Sequence, residues 1–405
     1  MKLAEYLRQA QQLKHQDRTA AIAFLEQSLH VSLSENTEVA TSITTRILLD
    51  LAGELICTKQ PQLLQKAEIL IQQAEDRLNQ SLDVNQEEIA YLLYAKALMT
   101  LTLREFGEIR EVLPTLEIAY EAYGNLIEGQ TQTDDLFGQY YLQINDFPSA
   151  LNHFERSLSL RLESENECAI AQSYIHLGQF YLVSGDINQA ESLFQNALDI
   201  AITNSHQLLQ LQAIKGLAKV AIAQAQWQSA ISLIKDTISL LQEPIDTIEL
   251  GYLYCDIAEA LLGDRQIEES LICIRMQVLP RFRDYEYTRG IAIAKHLRGR
   301  IYIHRLQEGL DTLDEDAIET AEDSLLDASM TFEQFGMMVN YAKCLYDLAC
   351  LYQLCNSSHL QYQYQGKSLR SLELSLSVLD QLGLSNTQLA SQVEKMLNQA
   401  MHGRF

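Results

Sequence analysis

The chain reads as a long run of apolar stripes at helical spacing, interrupted by short polar turns. In Leu177–Ile200, "LGQFYLVSGDINQAESLFQNALDI", small and apolar residues recur three and four apart, stop at "SGDIN", and resume. That is the pattern of two amphipathic helices joined by a tight turn. A forty-residue step repeats it. Gly138, Gly178, Ala218 and Ala258 fall in register, followed by the columns Ala150, Ala190, Ala230, Ser270 and Phe154, Phe194, Ile234, Ile274. A last column, Ser157, Ala197, Thr237, Gln277, degrades in its fourth member.

Packing explains the columns. Small residues let two helix backbones approach where they cross, and Phe194, four residues after Ala190, shares its face and fills the groove beside it. Gly185 tolerates positive φ and Asp186 can cap the next helix. These glycines therefore predict packing and turning, not a phosphate cradle. Outside this core the pattern continues with insertions. Leu51, Ala52 and Leu55 pair with Ala67, Ile71 and Ala74; "AYLLYAKAL" pairs with "VLPTLEIAYEAY"; the first thirty residues form a further, degenerate pair. Downstream, Leu297 begins a helix whose partner carries Ala321, Leu325 and Ala328, and Leu348, Ala349 and Tyr352 pair with Ser368, Leu372 and Ser375. Residues 124–134, polar and glycine-containing, read as an inter-repeat loop or linker. Ser385, Asn386 and Thr387 are cap candidates for a closing helix.

Tyr174, Leu177, Gly178, Tyr181, Gly185, Ala190, Phe194 and Ala197 resemble the motif of the tetratricopeptide repeat (TPR) family, with Ile202 where that family usually ends its second helix with proline. The forty-residue unit is similar to the longer TPR variants of bacterial signalling regulators and kinesin-light-chain-type adaptors. The resemblance implies an all-α, right-handed superhelical solenoid of about eight helical hairpins plus a C-terminal capping helix. The expected divisions are residues 1–128, degenerate hairpins; 129–384, a regular array with an acidic insert near 307–317; and 385–405, a capping helix and tail.

Composition narrows the function. A net charge of −24 repels phosphate backbones, so no nucleic-acid or anionic-membrane partner is expected. The N-terminus lacks the apolar core of a signal peptide, no stretch approaches the roughly 18 apolar residues of a membrane span, and the 7 cysteines show no paired spacing. A cytoplasmic protein with reduced thiols is the expectation. No nucleophile elbow, P-loop or zinc-protease motif occurs. His296 and His304 share a helix face but lie roughly 12 Å apart, too far for one metal. No enzymatic activity, cofactor or metal is predicted.

The resemblance places ligands on the surface formed by the first helix of each hairpin. In this register that surface carries Gln139, Gln143, Gln172, His176, Gln179, Lys215 and Lys219, then Tyr252, Asp256, Glu259, Lys295, His296, Tyr302, Tyr346 and Asp347. This row suits hydrogen bonding to an extended peptide. Lys215 and Lys295 fall at positions where chaperone-binding TPR domains carry clamp lysines, but the clamp asparagines are missing. Peptide-pheromone sensors of Gram-positive bacteria share the architecture but carry an N-terminal effector module, for which residues 1–40 are too short. One segment departs from the acidic background. Arg275, Arg281, Arg283, Arg289, Lys295, Arg298, Arg300 and Arg305 face only Asp284 and Glu286 in their own stretch, with acid-rich 306–323 next to them. Two roles stay open: a pocket for an acidic peptide or carboxylate, or neutralisation of the acidic neighbour. The expected function is a non-enzymatic scaffold binding a protein or peptide in its groove. The alternatives are a peptide sensor that switches an effector, and the regulatory region of a larger signalling enzyme.

Overall fold

The structure, a computed structural model, describes residues 6, 9–10, 12–14, 17–33, 38–81, 84–103, 112–164, 166–239, 241, 246–310, 315–356, 361–385 and 387–401. Among these residues every regular element is helical. The chain divides into two compact units, Met1–Glu249 and Leu250–Phe405.

In the first unit, α1 (Arg18–Leu33) precedes five hairpins: α2 (Glu38–Thr58) with α3 (Pro61–Gln80), α4 (Gln86–Leu103) with α5 (Val112–Tyr123), α6 (Ile127–Gln143) with α7 (Phe147–Glu163), α8 (Glu167–Ser184) with α9 (Ile187–Thr203), and α10 (Gln207–Ala223) with α11 (Trp227–Ile238). The second unit takes up α12 (Thr247–Gly263) from Leu250 and pairs it with α13 (Ile267–Cys273), which runs through a π-helical turn, Ile274–Val278, into α14 (Leu279–Asp284). Then come α15 (Thr288–Gln307) with α16 (Glu315–Gln334), α17 (Met338–Asn356) with α18 (Gln361–Gln381), and a closing helix α19 (Gln388–Met401). Thr387 caps α19, its hydroxyl accepting from the Ala390 N–H at 3.3 Å; Asn386 lies outside the described residues.

The hairpins turn by one repeated device. Gly185 adopts φ 95° and its N–H donates to the Tyr181 carbonyl at 3.0 Å. Asp186 then accepts from the Gln189 N–H at 3.1 Å, starting α9. Asn145, Ala225 and Arg265, which share the forty-residue register of Gly185, also have positive φ, at 60°, 58° and 60°. A side chain there costs roughly 1–2 kcal/mol, so the repeat keeps its turn even where glycine has been lost.

The core rests on aromatic knobs. Ala190, Phe194 and Ala197 are fully buried. A Cβ placed on Gly178 would lie 2.9 Å from the Phe194 ring, and one on Gly216 of the next hairpin would overlap it. Phe154 occupies Gly138 in the same way, and in the second unit Phe282 lies between Gly251 and Gly290. The absent side chains are the space that the rings fill.

Two expectations change. Residues 124–134 do not form a loop: after a turn at Gly124 the chain enters α6, and Thr131, Thr133, Asp134 and Asp135 are buried in it. Their polarity reads as loop only because their partners lie elsewhere in sequence. Asp134 takes Arg156 and His153, and Asp135 takes Arg161, His176 and Ser157. The fourth register, meanwhile, slips at the π-helical turn. A π turn holds one extra residue, so Val278 replaces Gln277 as the buried member, and Phe282 supplies the aromatic knob. Pro280, which has no N–H to donate, follows directly.

If Phe194 needs the empty space at Gly216, Gly216→Ala lowers stability by about 1–3 kcal/mol, overpacking outweighing the gain in helix propensity. Adding Phe194→Leu restores part of that loss. Chemical denaturation of both variants checks this.

Candidate functional site

The first helices of the hairpins present the surface where ligand contacts are expected. In the first unit that surface bounds a cavity of about 390 Å³. Its wall takes Leu98 and Thr102 from α4, Gln139 from α6, Gln179 from α8, and Gln207, Leu208, Leu211, Gln212 and Lys215 from α10. Residues from the start of the chain and from around the start of α12 complete it: Lys14, Asp17, Arg18 and Thr19, then Leu241, Asp246 and Glu249, with Ile56 and Cys57 from the end of α2 and Lys59 just after it. Gln139 and Gln179 lie one register step apart, so the repeat itself places their amides side by side.

The charges of the wall are paired. Lys14 lies 3.1 Å from Asp50 and 3.7 Å from Glu54. Arg18 reaches Glu54 at 3.7 Å and Asp246 at 3.3 Å, a contact spanning most of the first unit's sequence. Lys215 is salt-bridged to Glu249. Burial works against Glu249's charge, but Lys215 and Lys59 outweigh it and hold the carboxyl down to about 2. Burial also pulls the Lys215 ammonium below its ordinary value, with Glu249 opposing. Asp50 is lowered too: burial resists, while Lys14 and Arg46 prevail.

Of the expected groove residues in this unit, Gln139, Gln179 and Lys215 come together on the cavity. Gln143 is exposed and its amide reaches the Leu101 carbonyl at 3.5 Å. Gln172 and His176 are 2.9 Å apart, with the His176 ring buried against Asp135 at 3.2 Å. Lys219 is exposed. The sequence reading missed Gln212, which follows Gln172 by one register step, and missed Arg18 and Asp246, which no local pattern connects.

In the second unit most of the expected residues are tied to neighbouring side chains. Glu259 meets Arg300 at 2.8 Å, His296 meets Asp347 at 2.7 Å, and Lys295 meets Asp327 at 2.9 Å. The Tyr252 hydroxyl donates to that of Tyr287 at 3.0 Å, and Tyr302 accepts from Arg275 at 2.8 Å. Asp256 and Tyr346 are half-buried. The basic segment is dispersed. Arg305 pairs with Glu268, Arg298 donates to the Ser324 hydroxyl at 3.0 Å, and Arg281 donates to Gln277 while stacking 4.8 Å from the Tyr254 ring. Arg289 lies 5.1 Å over Phe335, and Arg283 is exposed. The carboxylates that meet Lys295, Arg300 and Arg305 thus lie outside 306–323.

Stacked helical hairpins with small-residue columns, aromatic knobs and a polar inner surface define a helical-repeat protein. Residues 169–243 match the family model described as tetratricopeptide repeat. No curated protein matches the sequence. Among solved structures, a Rap protein complexed with competence and sporulation factor shares the fold at a TM-score of 0.56 and 14% identity, over 89% of this chain and 98% of that one. Aspartyl phosphate phosphatase F from Bacillus subtilis gives 0.46 and 13%, over 87% and 94%. BtubC (BKLC) from P. vanneervenii gives 0.41 and 17%, over 55% and 91%. Among the described residues no helix is long and apolar enough to cross a membrane.

Two predictions follow from the charges. Asp135 is depressed in the fold: burial opposes its charge, but His176, Arg161 and Ser157 prevail. A depressed carboxylate stabilises fully above the ordinary aspartate value of about 3.9 and loses that contribution as pH falls below it. Arg161→Met, which removes a buried partner, costs about 3–5 kcal/mol at neutral pH and flattens the acid limb of the stability–pH curve. In the second unit, Arg300→Glu sets two carboxylates against each other and lowers Tm, whereas Arg283→Glu leaves it unchanged; calorimetry separates the two.

Proposed function

We propose that this chain is a non-catalytic scaffold that binds a protein or peptide along the first-helix surface of its repeats, with the cavity of the first unit as the principal seat. The observation that carries this reading is the convergence of Gln139, Gln179 and Lys215, three expected contact residues from three successive hairpins, on one cavity. Its volume falls within the roughly 300–1,000 Å³ range of small-ligand sites, and successive first helices, packed about 8–10 Å apart, present a contact every three residues or so of an extended chain. A protein sharing this fold has been solved with competence and sporulation factor bound, which supports a binding role for the architecture. The charge of −24 supports the absence of nucleic-acid partners, and a cytoplasmic setting is part of the proposal. The remaining expected contacts, from Tyr252 to Asp347, and the basic segment form a second, subsidiary surface in this proposal.

A sensor is the second reading, favoured by the Arg18–Asp246 contact. An occupant of the cavity would lie against both ends of that link, so binding and closure of the first unit would be coupled.

The test uses the peptide that co-purifies with the chain from its native cell, mapped by mass spectrometry. Gln139→Ala combined with Gln179→Ala weakens its binding about tenfold, near 1.4 kcal/mol, with unfolding unchanged. Unaltered affinity in that variant, together with loss of binding in Arg283→Glu, whose stability is unchanged, would move the site to the second unit.

A further inference from the structure

The cavity wall divides its polar groups into two sets. The charged groups are satisfied within the protein: Lys14, Arg18 and Lys215 hold their carboxylates, Asp17 accepts from the Ala20 N–H at 3.0 Å, and Lys59 also interacts with the protein. Asp50 and Glu54, which do not line the wall, also take up its cations, Asp50 with Lys14, and Glu54 with Lys14 and Arg18. The open hydrogen-bonding capacity belongs instead to amides. The side chains of Gln139, Gln179 and Gln207 bond to no group among the described residues. One buried polar atom of the wall lacks both a hydrogen bond and an ion-pair partner among the described residues, the Gln212 Oε1 acceptor; Arg18 Nε faces the Glu54 carboxylate at 3.7 Å.

An unmatched buried acceptor costs roughly 1–3 kcal/mol. A peptide group carries one N–H and one C=O: the N–H would satisfy the Gln212 acceptor, and the C=O would take a donor from one of the open glutamine amides. A carboxylate, phosphate or ammonium would have to break an existing ion pair to be neutralised, leaving the displaced partner exposed in a half-buried wall. The apolar part, Ile56, Leu98, Leu208, Leu211 and Leu241, suits an uncharged side chain.

We infer that the cavity recognises the uncharged interior of a peptide, through its backbone amides and one apolar side chain, and excludes free termini and anionic groups. This rests on the reading of the first unit as the ligand seat and specifies the ligand class there. Gln212 is the acceptor for a ligand N–H, and Gln139 and Gln179 are the amide ladder beside it.

Titration calorimetry with N-acetyl-Ala-Leu-Ala-amide, its uncapped counterpart and inorganic phosphate tests the inference on the full chain. The capped tripeptide binds saturably, the uncapped form binds at least tenfold more weakly, phosphate does not bind, and Gln212→Leu lowers affinity for the capped form at least tenfold. Circular dichroism reports whether that variant folds; if it does not, the comparison of capped and uncapped peptide on the unaltered protein decides. Equal or tighter binding of the uncapped peptide or of phosphate overturns the inference, and so does absence of binding by the capped peptide. If the cellular peptide still depends on Gln139 and Gln179 in that case, the seat stands and only its ligand class has been misjudged.

Discussion

Close approach of helices across an aromatic ring is the constraint from which the rest follows. Phe194 is shared by Gly178 of its own hairpin and Gly216 of the next, and Phe282 is shared by Gly251 and Gly290. Each ring therefore joins neighbouring first helices as well as the two helices of one repeat. That fixes the distance at which first helices follow one another, and with it the spacing of the polar side chains they present. The alignment of Gln139 and Gln179 on one cavity is a consequence of core packing carried to the inner surface.

Much of this was legible from spacing. The columns of small residues, the turn at Gly185 and Asp186, and the buried ring at Phe194 are local in sequence, and local features leave periodic traces. Features that depend on partners far along the chain left none. Asp134 and Asp135 looked like loop because isolated acids belong in water, and only the fold brings Arg156, Arg161 and His176 to them. The register slip in the fourth repeat shares this character. A degraded column at Gln277 was visible, but the extra residue of the π-helical turn that moves Val278 and Phe282 into the core was not.

The candidate site divides along the same line. Gln139, Gln179 and Lys215 were readable because they recur on first helices. The closing side of the cavity was not, since Lys14, Arg18 and Asp246 meet across almost the whole first unit. Charge was a misleading guide. The arginine-rich stretch of the second unit stands out in the sequence, but its side chains are largely engaged with Glu259, Glu268, Ser324 and ring faces. The quieter glutamines of the first unit keep the unspent hydrogen bonds, and unspent hydrogen bonds are what a ligand can use.

Site-specific photo-crosslinking measures most directly where a partner lies. A photoreactive residue at Gln179, on the inner surface, is compared in the native cell with one at Gln195, exposed on α9. Adducts that form at 179 and not at 195, with the crosslinked segment a peptide interior, are the predicted result. Adducts confined to 195, or equal at both positions, would contradict the account.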